Sequence, residues 1–422
     1  YEGSPIRSQD SRPDPSPLYE RSPVQSQDGR PDLSPLYQRS PVRSQDSRPD
    51  SSPLYERSPV RSQETDIADI IGQLQQHIEK ETSRANIINV YREDVLDCAV
   101  RAFQRQRFNA EARIDVAFVD IQGKGEGSVD EGGPRREFLR LLMNDVQRCK
   151  IFEGPEESRS LALHGHALQE GLYRTVGKMI SMAVVQGGLP IHFFSERLYC
   201  QISALLPPKL SLDEVADHDI RSQLEKIDKA GSVEEARAAI SACADTVGVM
   251  GAFNYINNLE ERDTVTQIAL QFYLHDRLSL ALSQLKKGLI TLGLLDEIVA
   301  NPKMFHGVFT ASTALLTSTD LVNLFTPILS PAGYNRRRSE NRTLAFWRDW
   351  LLEVEEGNID NLKLEDILIF ASGASKNPLA GFPENPTITF SEPVSGRNLP
   401  TANTCSVSLK LPMCTVYKDF SE

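Results

Sequence analysis

An 18-residue unit opens the chain, three copies in full and the start of a fourth, and it limits what the first 63 residues can become. Residues 3–20 read GSPIRSQDSRPDPSPLYE, 21–38 read RSPVQSQDGRPDLSPLYQ and 39–56 read RSPVRSQDSRPDSSPLYE. A solenoid unit of this kind needs an apolar face to stack on its neighbours. Each copy offers little more than one Val or Ile, one or two Leu and a Tyr. Eleven of the chain's 25 prolines lie in this stretch, which has no Lys, Phe, Trp or Cys. So little apolar area cannot offset the entropy of ordering the chain. Residues 1–65 are therefore expected to be disordered, with local polyproline-II character. They also hold seven Ser-Pro pairs, the local form that proline-directed kinases read, so phosphorylation is expected to add negative charge there.

The rest of the chain can build a core. Overall, 40% of its 422 residues are hydrophobic. The net charge of −12 argues against a nucleic-acid partner, which calls for a basic surface. No run of 18 apolar residues occurs, so no membrane span is expected. No apolar leader follows Tyr1, and the chain reads as a possible fragment. The six cysteines are scattered, which suits reduced thiols in an intracellular setting, cytoplasmic or nuclear.

Composition changes at Thr65, after which Ile67, Ile70, Ile71 and Leu74 recur at helical spacing. The pattern predicts helices over 90–108, from Pro134 onward, and over 173–185 (amphipathic), 233–246, 264–285, 344–354 and 362–371. It predicts strands over 114–121, 387–390 and 407–411. Residues 122–133 read as a glycine-rich loop. The best internal boundary is 326–343, with two prolines, a glycine and the basic run Arg336–Arg338. The fold class is α+β: a large, mostly helical part over 66–335 and a small mixed part over 336–422.

Most candidate chemistry has a plain structural reading. GKGEG at 123–127 lacks the Lys-Ser/Thr order of a phosphate loop and is followed by Asp130 and Glu131. His164 and His166 have no neighbouring cysteine, so no metal is expected. Cys98, Cys149, Cys200 and Cys243 sit among Leu, Ala and Ile and are expected in the core. Cys405 is less settled. It lies in a polar loop feeding a strand, yet it shares parity with Val407, Leu409 and Leu411, so it could be either reactive or the first core-facing residue.

Three separated stretches carry a family resemblance: SVDEGGPRREFLRLL (128–142), FASGASKNPLAGF (370–382) and LPTANTCSVSLKLP (399–412). In their order and spacing they resemble the HECT family of ubiquitin ligases, over roughly residues 90–422. The third is the most specific, matching the LP-x-x-x-TC-x-x-x-L-x-LP segment around the family's reactive cysteine. The resemblance implies a bilobal domain behind the repeat tail, with a helical N-lobe that receives a ubiquitin-charged E2 and a mixed α/β C-lobe that swings on a hinge near 335–343. It implies that Cys405 carries ubiquitin as a thioester, supported by Thr404 and Asn403, before transfer to a lysine of a protein substrate, without metal or organic cofactor.

Departures from the family pattern are visible. Many relatives have His where this chain has Asn403, an aromatic where it has Ser406 and Tyr where it has Cys414. The usual tail runs further than Glu422. Residues 213–261 read as helices where many relatives carry a β-rich E2-docking insert, and Phe253, Tyr255, Phe272 and Tyr273 are the large side chains available there. The alternative to an active ligase is therefore a catalytically weak, HECT-like scaffold.

Overall fold

The computed structural model describes residues 66–78, 85–120, 122–125, 132–312, 314–392 and 399–421. The repeat over 1–65 and most of the expected 122–133 loop lie outside the described residues. Those described pack as one unit, helix-rich with three small sheets, an α+β fold built on three hydrophobic clusters.

The first and largest cluster starts with α1 (Ile67–Gln75), which buries Ile70 and Ile71. The helix expected over 90–108 is shorter, α2 (Val95–Phe103), and Val90 belongs instead to a strand, β1 (Asn86–Val90). Ile88 and Val90 of β1 are buried, while Ile87 is 64% exposed. β1 pairs in parallel with β2 (Ile114–Phe118). Parallel strands meet only through a crossover, here containing α2, so local pattern understates β1. β2 follows the expected alternation, with Ile114, Val116 and Phe118 inward. Next come α3 (Gly133–Arg148), with Pro134 in its first turn, the small hairpin β3 (Phe152–Glu153) and β4 (Ser160–Leu161), and α4 (Gly165–Gln169). The helix expected to be amphipathic is α5 (Leu172–Val185), and it is buried nearly all round, with only Arg174 and Lys178 escaping. α6 (Glu196–Ser203) closes this run.

The second cluster is helical: α7 (His218–Asp228), α8 (Val233–Ala242), α9 (Ala244–Val249) and α10 (Leu259–Leu274). The helix predicted over 233–246 breaks at Cys243, and the one over 264–285 breaks after Leu274. The chain then returns to the first cluster with α11 (Ser279–Leu289), α12 (Leu294–Ala300) and α13 (Pro302–Phe309). α5 and α11 touch through glycines. A Cβ on Gly177 would overlap the Leu285 carbonyl, and one on Gly288 the Arg174 carbonyl. Ser181 Oγ donates to the Leu289 carbonyl at 3.0 Å along the same seam.

The third cluster holds α14 (Ser318–Leu324), β5 (Thr326–Pro327), α15 (Asn335–Glu355), α16 (Leu364–Ser372), β6 (Thr387–Ser391), β7 (Thr401–Asn403), β8 (Ser408–Pro412) and α17 (Tyr417–Ser421). The sheet order is β5-β6-β8-β7, with β7 the antiparallel edge. Trp347, Leu351, Leu368, Ile388, Leu409 and Leu411 fill it. Leu321 and Phe325 also belong here, so the third cluster begins ahead of the 335/336 boundary read from composition. The hinge expected near 335–343 falls inside α15, where charge anchors it. Glu340, 2% exposed, accepts from Ser330 N and Oγ at 2.7 Å each and from Arg336 Nε at 2.9 Å.

Burial works against the Glu340 carboxylate, but these hydrogen bonds outweigh it and hold its pKa below the usual value. Its stabilising effect is therefore present above the ordinary glutamate range and lost as pH falls through the lowered value. Glu340→Ala should cost about 2–3 kcal/mol near neutral pH by stranding the Ser330 donors. In urea unfolding the penalty should shrink as pH falls below about 4; an equal penalty at pH 7 and pH 3 would contradict this role.

Candidate active site

Cys405 lies in the four-residue turn that joins β7 to β8, whose paired ends are Asn403 and Ser408. The Asn403 side-chain oxygen accepts from the backbone N–H of Cys405 at 3.0 Å and of Ser406 at 3.4 Å. That is an Asx turn, the local hydrogen bonding at which Asn excels. Val407 closes the turn at φ +49°, a left-handed conformation rare for a β-branched residue. The turn breaks the alternation. Val407, Leu409 and Leu411 are buried, whereas Cys405 is only half-buried. Its thiol makes no hydrogen bond among the described residues.

The remaining cysteines differ. Cys98, Cys149, Cys200 and Cys243 are buried. Burial pushes the Cys149 thiol up to about 11 and raises those of Cys200 and Cys243. Cys414 is half-buried and also raised, by burial and then by Asp419. All six are free thiols. His164 accepts from the Ala167 N–H as a helix cap and His166 pairs with Glu170, so both serve local structure.

The three stretches singled out in the sequence meet at this turn. Arg136 of α3, 6% exposed, donates through Nε to the Ser372 carbonyl at 2.8 Å. Its Nη2 reaches the carbonyls of Thr404 and, at 3.4 Å, Cys405. Arg140, one turn on, donates to the Gly373 carbonyl at 3.2 Å. Gly373 ends α16 at φ +81°, and a side chain there would press on Gly133 and Glu137 of α3. Thr404 packs so closely on Gly133 that a Cβ on that glycine would overlap its Oγ1. Thr404 is thus a docking residue and Asn403 a turn-forming one. The sequence shows Arg136 and Gly133 only as part of a motif. A buried guanidinium spanning 268 residues of sequence leaves no local signal.

Chemically, this is a half-buried thiol on a short, hydrogen-bonded turn braced against a helix N-terminus. The turn can present sulfur to a large partner, which a mid-strand position could not. Among the described residues no group of three or more His, Cys, Asp or Glu is placed to hold a metal.

Comparison with known proteins decides the family. The model of the HECT-domain (ubiquitin-transferase) family matches residues 140–422. This chain belongs to the HECT family. The match starts inside α3 and includes the whole Cys405 turn. Among relatives, the G2/M phase-specific E3 ubiquitin-protein ligase of Macaca fascicularis is 31% identical over 358 residues, 85% of this chain and 48% of that protein. Those of Homo sapiens and Gallus gallus are each 30% identical, over 85% and 84% of this chain and 48% and 46% of theirs. The chain thus spans about half the length of the curated relatives it matches.

Gly133→Ala tests the docking of the turn. On helix propensity alone the change would favour α3 by up to about 1 kcal/mol. Contact with Thr404 should reverse the sign and destabilise the fold by about 1–3 kcal/mol. Thr404→Ala should restore part of the loss, giving a coupling energy of about 1 kcal/mol in a double-mutant cycle. Strict additivity in thermal or urea unfolding would mean that the two residues do not touch.

Proposed function

We propose that this HECT domain is a ubiquitin-protein ligase whose Cys405 carries the transferred ubiquitin. The observation that carries the reading is the position of Cys405, half-buried on the β7–β8 turn at the place of the family's TC motif. The Cys405 thiolate attacks the carbonyl carbon of an E2–ubiquitin thioester. The tetrahedral intermediate collapses, the E2 sulfur leaves and is reprotonated, and ubiquitin is left on Cys405 Sγ. A substrate lysine amine then attacks this second thioester, forms the amide, loses its proton and releases the Cys405 thiolate. Exchange between thioesters is nearly isoenergetic, so alignment of the two sulfurs and the carbonyl governs the rate. Free thiols suit a reducing compartment, cytoplasmic or nuclear.

In this reading the first two clusters form the N-lobe and the third the C-lobe. Movement between them uses residues 314–317, which carry no helix or strand, rather than the anchored start of α15. The E2 docks on the helical second cluster. Of the four large side chains considered there, Tyr273 is core and Phe272 half-buried, while Phe253 and Tyr255 are 57% and 68% exposed. Val249, four residues before Phe253 in the chain, is exposed too, and the Arg237 guanidinium lies 4.1 Å over the Tyr255 ring. An exposed apolar group of this kind suits a partner surface.

Two measurements test the reading. In single-turnover charging with E1, a panel of E2 enzymes and ubiquitin, the native chain should form a reductant-sensitive adduct. Cys405→Ser should lose it or give a reductant-resistant ester, and Cys414→Ser should keep it. An adduct that survives in Cys405→Ala would refute the site, and no transfer from any E2 would favour a scaffold. For docking, Phe253→Ala with Tyr255→Ala should weaken E2 binding at least about tenfold, a loss of roughly 1.4 kcal/mol, with unchanged melting temperature. Unchanged affinity would remove the E2 from this face.

A further inference from the structure

A half-enclosed cleft of about 190 Å³ opens between α3, the segment after α5 and the turn after α16. Arg140, Asn144, Gln147, His192, Ser375 and Lys376 supply its polar walls, and no carboxylate lines it. Lys376 Nζ donates to His192 Nδ1 at 2.6 Å, which assigns His192 as the neutral tautomer with its proton on Nε2. Arg140 uses Nε on the Gly373 carbonyl, and its two Nη nitrogens donate to nothing among the described residues. Neither cation has an ion pair among those residues. Glu365 favours the Lys376 charge, and Glu137 and Asp366 that of Arg140, only through space.

Burial governs the electrostatics of these three groups. Burial lowers the pKa of both Lys376 and Arg140, and burial followed by the Lys376 charge brings His192 down to about 4. Backbone geometry adds an independent sign. His192 sits at φ +58°, held there as the Ile191 and His192 N–H groups both donate to the Val308 carbonyl, at 2.6 and 3.1 Å. Strained backbone beside converging polar groups is common at ligand sites.

We propose that this cleft binds an oxyanion of the phosphate class, held by Arg140, Lys376 and the His192 ring. Charge-assisted hydrogen bonds to a tetrahedral anion would supply the anionic partner that neither cation has among the described residues. Arg140 and His192 come from the first cluster, and Lys376 follows α16. A bound oxyanion therefore joins α3 to the segment after α16, as Arg136 joins it to Ser372 at the end of that helix, and by holding that pair together it favours the docked state of the Cys405 turn. That consequence rests on the function proposed for Cys405; the binding does not.

The test is phosphate titration of the whole chain by calorimetry and thermal unfolding, against chloride at matched ionic strength. Phosphate should raise the melting temperature by about 2 °C at roughly ten times its Kd. Phosphate also stabilises proteins non-specifically by exclusion, so the variants decide. Asn144 is exposed, and Asn144→Asp adds a carboxylate to the wall without disturbing the core. It should abolish the calorimetric signal, and Lys376→Gln should weaken binding at least about tenfold. A wild-type response no larger than that of chloride, or one that survives both changes, would overturn the site. O-phosphoserine with blocked ends forms the second arm: tighter binding than phosphate assigns a side-chain phosphoryl group, and equal or weaker binding a free anion. Charging of Cys405 with and without phosphate tests the consequence alone.

Discussion

A buried guanidinium organises this domain. Arg136 gives up water on α3, and a charge can be buried only where its donors find acceptors. It finds main-chain carbonyls at the end of α16 and in the Cys405 turn. Two segments far apart in sequence must therefore converge on one helix N-terminus. The glycines at 133 and 373 are the complement of that demand, since each clears the space that convergence needs. Position of the thiol, packing of α16 and identity of the first residues of α3 are parts of one interaction.

The arrangement explains how a turn with unusual residues still presents a cysteine. Asn403 cannot shuttle protons as an imidazole can, and its side chain is instead committed to the N–H groups of Cys405 and Ser406. In the proposed reaction the domain contributes position more than acid–base chemistry. Rate would then depend on how often the braced turn and the E2 are brought into register, a matter of motion between clusters.

Several elements were legible from local pattern. Apolar spacing marks α1, alternation marks β2, Pro134 marks the start of α3, and helical pattern marks α8 and α10 of the second cluster. The misses share a cause. β1 has no local signal, and its last residue, Val90, reads as helix, because its parallel partner lies beyond α2. β5 and β7, two and three residues long, exist only because β6 and β8 supply their hydrogen bonds. The surroundings of α5 bury a pattern that reads as amphipathic nearly all round, leaving out only Arg174 and Lys178.

The amino-acid sequence by itself determined the family, through three motifs whose residue types are demanded at contact points, and the separation of a proline-rich repeat from a core-forming remainder. It left Cys405 open between a core position and an exposed one, because parity with Val407 holds equally for a strand and for a turn. Tertiary structure decided that point. The Asx turn at Asn403 and the positive φ of Val407 interrupt the strand, and Arg136 holds the interruption against α3. It also put residues 335–343 inside α15, where Ser330 finds Glu340 only when the chain before α15 folds back on it. Contacts of this kind join residues that no periodicity links, so their energies enter only when the chain is folded.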